Sequence, residues 1–232
     1  MSTAPSPNPS RSSGYGRLDR QVILDAALRI AARPGASEVR FRDLGTELGA
    51  DPTAVYRHFR NKHELMDALT ERLMENVAAA VRAAAGWRAV LETMADEVLE
   101  QFTRHPAIGI HLGNTRGVGA SELELAELVL KALEDAGLSG DTLIEHYGAM
   151  SGFALSYIAT SCRELVTAGS TTAAATEQVP WLPDDIEVSA QTHPTLFRYG
   201  DKLAAMQFRS TYAATTKVLI DAVATAGNSL AE

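Results

Sequence analysis

SEVRFRDLGTELGADPTAVYRHFRNKHELMDAL, residues 37–69, has the punctuation of two short helices, a tight turn between them, and the start of a third. Phe41, Leu44 and Leu48 fall at i, i+3 and i+7, so they share one helical face. Gly49 follows at once and suits the left-handed position that closes a helix. Asp51 then serves as an N-cap, with Pro52 at the first helical position. Val55 and Phe59, at i and i+4, form the buried side of the second helix, and Asn61 caps a third in which Leu65, Leu69 and Leu73 repeat.

Two helices joined by a glycine turn are the punctuation of a helix-turn-helix, and they point to double-stranded DNA as a partner. The second helix is short and its first turn is small, so it can enter a major groove. Thr53, Ala54, Arg57 and His58 are expected to face outward, with Thr53 or Ala54 able to touch a thymine methyl. Tyr56 and Lys62 are expected to reach phosphates from the flanks, and Arg42 to read a guanine or clamp a phosphate.

Residues from Leu18 to about Asn76 resemble the N-terminal domain of TetR-family transcriptional regulators. The resemblance rests on Ile23-Leu24-Asp25-Ala26-Ala27, on Arg42-Asp43-Leu44-Gly45, and above all on the run from Val55 to Leu65. It implies an all-helical homodimer that binds a palindromic operator. Two positions depart from the family pattern. Arg40 stands where a Ser or Thr usually caps the helix, a loss worth about 1 kcal/mol that a phosphate contact by Arg40 would offset. Asp51 replaces another Ser or Thr, capping equally well but bringing negative charge toward DNA.

The rest of the chain resembles, more weakly, the C-terminal domain of the tetracycline-repressor branch, through His111-Leu112-Gly113, Thr115-Arg116 and Gly152-Phe153-Ala154-Leu155. In that branch the first histidine holds drug-chelated magnesium, a role that position hands to His111. The partner carboxylate would fall near Arg163-Glu164, where the arginine repels a cation. One histidine is a poor site for a hard cation, which wants several oxygens. No metal set and no cofactor is expected.

The formal net charge is −8, which by itself argues against DNA. Splitting the chain removes the conflict: residues 1–70 hold 10 Lys and Arg against 8 Asp and Glu, and residues 71–232 hold 11 against 21. A slightly basic head on an acidic body is the result. The single cysteine, Cys162, permits no internal disulfide and reads as a small buried hydrophobe rather than a redox sensor. Met1 to Gly16 has no apolar core of the secretory kind, and no run of about 18 apolar residues marks a membrane span. The cytoplasm is the expected location.

The expected class is all-α. A flexible arm (1–17) precedes a three-helix helix-turn-helix DNA-binding domain (18–66) and a larger helical ligand-binding and dimerisation domain (67–232). Within the larger part, helices are expected over 62–84, 87–102, 106–112, 121–136, 141–168, 194–206 and 209–226, with a glycine-rich loop at 113–119 and a long loop or cover at 169–192. Ala149, Gly152, Ser156 and Ala159 give the 141–168 helix a small-residue face suited to close pairing with a second copy. Phe102, His111, Leu112, Met150, Phe153 and Tyr157 are candidates to line a pocket for a small, partly apolar ligand. The expected function is a ligand-responsive regulator, a repressor released by a small molecule. The alternative is a constitutive or architectural DNA-binding protein that senses nothing. An enzyme is disfavoured, since no nucleophile–base set is recognisable.

Overall fold

The computed structural model describes residues 18–112, 119–167 and 188–230. The N-terminal arm, most of the glycine-rich loop and most of the 169–192 segment lie outside the described residues. Ten helices and no strand occur among the described residues: α1 (Arg20–Ala31), α2 (Phe41–Leu48), α3 (Pro52–Tyr56), α4 (Lys62–Ala83), α5 (Trp87–Arg104), α6 (Pro106–Leu112), α7 (Ala120–Asp135), α8 (Gly140–Thr167), α9 (Pro194–Ala204) and α10 (Phe208–Leu230). The expected helices are all present, their ends differing by a few residues as fraying termini do.

Local chemistry sets the ends of the first four. Asp19 caps α1 by accepting from the Val22 N–H at 2.8 Å, and Asn61 caps α4 by accepting from the Glu64 N–H at 2.9 Å. Gly49 ends α2 at φ 60°, in the left-handed region. Arg40, at the N-cap of α2, makes no side-chain cap bond. Its guanidinium pairs with Glu38 instead.

Gly45 has a role that periodicity does not show. A Cβ there would sit 2.9 Å from the Ala50 carbonyl and 3.0 Å from Pro52 Cγ. The missing side chain lets α2 approach the start of α3.

Ile23, Leu44, Val55, Phe59 and Leu65 are fully buried where α1 to α4 meet. Each such side chain contributes about 1.5–3 kcal/mol by leaving water. The same core continues without interruption into the body through Leu69, Leu73 and Val77 of α4. In the body, α5 and α7 each pack on both α4 and α8 and on each other, with α6 against α8 and α10 against α5 and α8. The expected boundary at residue 66 falls inside α4, which runs straight through it. Helix α6 packs on α4 and also touches α1 of the head.

Candidate nucleic-acid interface and effector cavity

Helix α3 is short because the chain turns back at His58–Phe59 to bury Phe59. Its N-cap, Asp51, accepts from the Thr53 N–H at 2.8 Å, and hydrogen bonding from Thr53 holds the Asp51 carboxyl below the usual carboxylate range. Val55 faces inward, while Thr53, Tyr56 and Arg57 are exposed and Ala54 and His58 are half-buried. Tyr56 is 55% exposed and leans on Phe41 with ring centroids 4.4 Å apart, which holds its hydroxyl end outward from the α2–α3 corner. Arg42 has 78% of its side chain exposed and lies 3.8 Å from Asp43.

The structure brings Arg40 and Lys62 together on one acid. Lys62 Nζ lies 2.7 Å from Glu38, which also pairs with Arg40. The Lys62 and Arg40 cations hold the Glu38 carboxyl below its ordinary range. Glu38 therefore competes with phosphate for two of the expected contacts. It escaped sequence reading because it lies 24 residues from Lys62.

A second missed residue is Arg20. Its guanidinium donates to the His58 carbonyl at 3.0 Å, lies 3.4 Å from Glu64 and sits 4.2 Å above the Phe59 ring. It clamps α1 to the α3–α4 turn. Arg29 and Arg33 do the same between α1 and α2 through Glu47.

The body contains a cavity of about 500 Å³ with mostly apolar walls. Met74 of α4, Val98 of α5, Leu112 of α6, Val129 of α7, and Tyr147 and Ala154 of α8 line it, and Glu122 and Ser151 supply polar atoms. A volume in this range suits a drug-sized molecule.

Of the residues expected to line a pocket, Leu112 borders this cavity. Phe102 and Met150 are buried in the core. Phe153 and Tyr157 pack on α10: Phe153 stacks on Tyr212 at 5.2 Å, and the Tyr157 hydroxyl donates to the Phe208 carbonyl at 2.9 Å. Aromatic side chains on α8 and α10 thus satisfy each other. His111 turns toward the head, its Nε2 2.9 Å from Asp67 of α4. Cys162 is fully buried, its thiol pushed up to about 12 by desolvation, so thiolate chemistry is suppressed.

Residues 23–69 match the family profile described as bacterial regulatory proteins, tetR family, and residues 82–219 match the tetracyclin repressor-like C-terminal domain. The HTH-type transcriptional repressor DrrR1 of Streptomyces coeruleorubidus is 32% identical over 140 residues, 59% of this chain and 50% of that protein. The class A tetracycline repressor from transposon 1721 of Escherichia coli is 31% identical over 140 residues, 59% of this chain and 64% of that one. The match thus spans half to nearly two thirds of these relatives' own length. The fold is shared with Streptomyces coelicolor ActR, whose structure was solved in complex with actinorhodin. ActR aligns with a TM-score of 0.67 at 18% identity, over 91% of this chain and 99% of that one.

Proposed function

The chain belongs to the tetR family of bacterial regulatory proteins, and on that premise we propose a homodimeric DNA-binding repressor released from a palindromic operator by a small molecule. The observation that carries this reading is the continuity of α4. Its first residue is Lys62, beside the recognition helix, and Met74, three turns on, forms part of the cavity wall. A ligand that displaces α4 in the body displaces the head with it. Such a ligand must prefer the head arrangement that does not fit DNA, or nothing shifts.

In this reading α3 enters the major groove, where Thr53 and Ala54 meet bases and Arg57 and His58 reach beyond them. Arg42, Tyr56, Arg40 and Lys62 fix the register on phosphates or base edges. The two heads sit about 34–36 Å apart, one helical turn of DNA. The ligand is mainly apolar, with a group that hydrogen-bonds to Glu122 or Ser151. Actinorhodin, bound by ActR, is a suitable first probe.

Selection of bound sequences from random duplex DNA, at stated salt, tests the DNA half. A palindrome with fixed half-site spacing is expected, and the absence of any enriched sequence would overturn it. For the ligand half, Ala154→Trp fills the cavity from α8. The variant should keep operator affinity within a few-fold but lose the response to a releasing compound, which in the parent is a drop of about 5- to 150-fold. An unaltered response would place the ligand elsewhere.

Glu38 provides a further check. Removing its charge in Glu38→Gln frees Arg40 and Lys62 for phosphate. The variant should bind random-sequence duplex more tightly at low salt, with a slope of log affinity against log salt steeper by about 1–2. Adding Lys62→Ala to Glu38→Gln should make that steeper slope shallower by about one. Anisotropy titrations between 50 and 200 mM salt read both, and equal slopes in all three proteins would remove these residues from the interface.

A further inference from the structure

His63 and Asp67 lie one turn apart on α4 and point toward His111 of α6. His111 Nε2 is 2.9 Å from one Asp67 oxygen, and His63 Nε2 is 3.4 Å from the other. The two imidazoles meet edge to face, with ring centroids 5.0 Å apart. One donor atom from each of the three residues falls within 4.8 Å of the others. We propose that His63, Asp67 and His111 form a site for a zinc-class divalent metal ion that clamps the DNA-binding head to the body.

The donor chemistry selects the ion. Two neutral imidazoles and one carboxylate suit zinc and its late first-row neighbours, whereas magnesium asks for a nearly all-oxygen shell. Metal–ligand bonds of about 2.0–2.2 Å in a tetrahedron put donor atoms about 3.3–3.6 Å apart. The His63–Asp67 pair, at 3.4 Å, already has that spacing, and the His111–Asp67 pair, at 2.9 Å, needs to open by about half an ångström. The remaining closure falls to His63, whose side chain is 67% exposed. His111 is only 15% exposed and provides the fixed side, while Asp67, at 43%, leaves an approach from solvent. Three protein ligands leave a fourth position for water or a ligand atom.

The position in the fold gives the site its consequence. His63 directly follows Lys62 at the start of α4, and Leu112, directly after His111, borders the cavity. An ion here bridges α4 and α6 at the joint on which a cavity ligand would also act. Metal binding by these three side chains requires no DNA.

The test uses untagged full-length protein and cobalt(II) as a spectroscopic stand-in, followed by zinc displacement. One cobalt per chain is expected, with visible d–d bands of a four-coordinate N/O site that zinc abolishes. Saturating zinc should raise the thermal midpoint, because a ligand bound to the native state stabilises it, and magnesium should not. Losing a direct ligand should cost more than losing an outer-shell partner, which costs 10- to 100-fold. His63→Ala, His111→Gln and the isosteric Asp67→Asn should therefore each weaken metal affinity at least about tenfold and remove the zinc-dependent rise. His146→Ala, at a histidine bonded to the Thr142 carbonyl at 2.8 Å on α8, should change neither. A fold defect in one variant is detected by its metal-free melt, and Asp67→Asn, which keeps the side-chain shape, then decides. No saturable cobalt binding in the parent, or equal binding in parent and variants, would overturn the site.

Discussion

Leu155→Arg combined with Val218→Arg should turn the protein monomeric and lower operator affinity by about 100-fold or more, the usual worth of engaging two linked half-sites rather than one. Leu155 on α8 and Val218 on α10 are 45% and 66% exposed. Around them, Ala149, Gly152 and Ser156 are exposed on α8, and Ala213, Ala214 and Ala222 on α10. A Cβ added at Gly148 or Gly152 would meet nothing within 4 Å. Two adjacent helices therefore present small and apolar side chains to the outside, a surface that covering by a second copy would explain. Pairing α8 and α10 with their counterparts makes a four-helix bundle. Val218 is exposed, and Leu155, at the cavity rim, is 45% exposed, so arginine there should leave the fold intact. Sedimentation equilibrium at micromolar protein and an operator titration read the effect, and a dimer that survives both charges would put the interface elsewhere.

The second large effect is expected at Gly45. Gly45→Val places a branched side chain where even a Cβ would be 2.9 Å from a backbone oxygen and about 3 Å from the Pro52 ring. Neither neighbour is a flexible side chain, so α2 and α3 must separate. Overpacking of this kind costs about 1–3 kcal/mol, and here it also turns the recognition helix away from its setting on α2. Operator affinity should fall at least about tenfold, each tenfold being about 1.4 kcal/mol, while the body dimer persists. Gly200→Ala, on α9, is the matched control, since its Cβ meets nothing within 4 Å. A Gly45→Val protein with parental operator affinity would show that the α2–α3 approach is dispensable.

Gly45 and Gly49 show why some features were legible in the chain and others were not. Gly49 ends a helix, and the residues that demand it are its immediate neighbours, so its φ of 60° was readable from Leu48-Gly49 followed by Asp51-Pro52. Gly45 is demanded by Ala50 and Pro52 across a turn, and helical periodicity says nothing about a distance across a turn. The same distinction separates Val55 and Phe59, whose burial follows from their i, i+4 spacing, from Glu38, which meets Lys62 only after the chain has passed through α2 and α3. In the body, Phe153 and Tyr157 are aromatic residues on an apolar helix, which suits either a pocket or a helix contact, and spacing along the chain does not separate the two. Their partners, Phe208 and Tyr212, lie more than 50 residues on and take both rings into the α8–α10 contact.

Cap residues, glycine stops and the spacing of apolar side chains act within one or two turns, so the linear order of residues was enough to establish an all-helical chain, a helix-turn-helix at 37–59, and the outward face of its second helix. Long-range packing settled the rest. It joined head to body through an unbroken α4, assigned Glu38 to Arg40 and Lys62, opened a cavity bordered by Leu112, and set His111 against Asp67, 44 residues away. Those pairings depend on how helix faces seat against one another, and no local pattern encodes that distance.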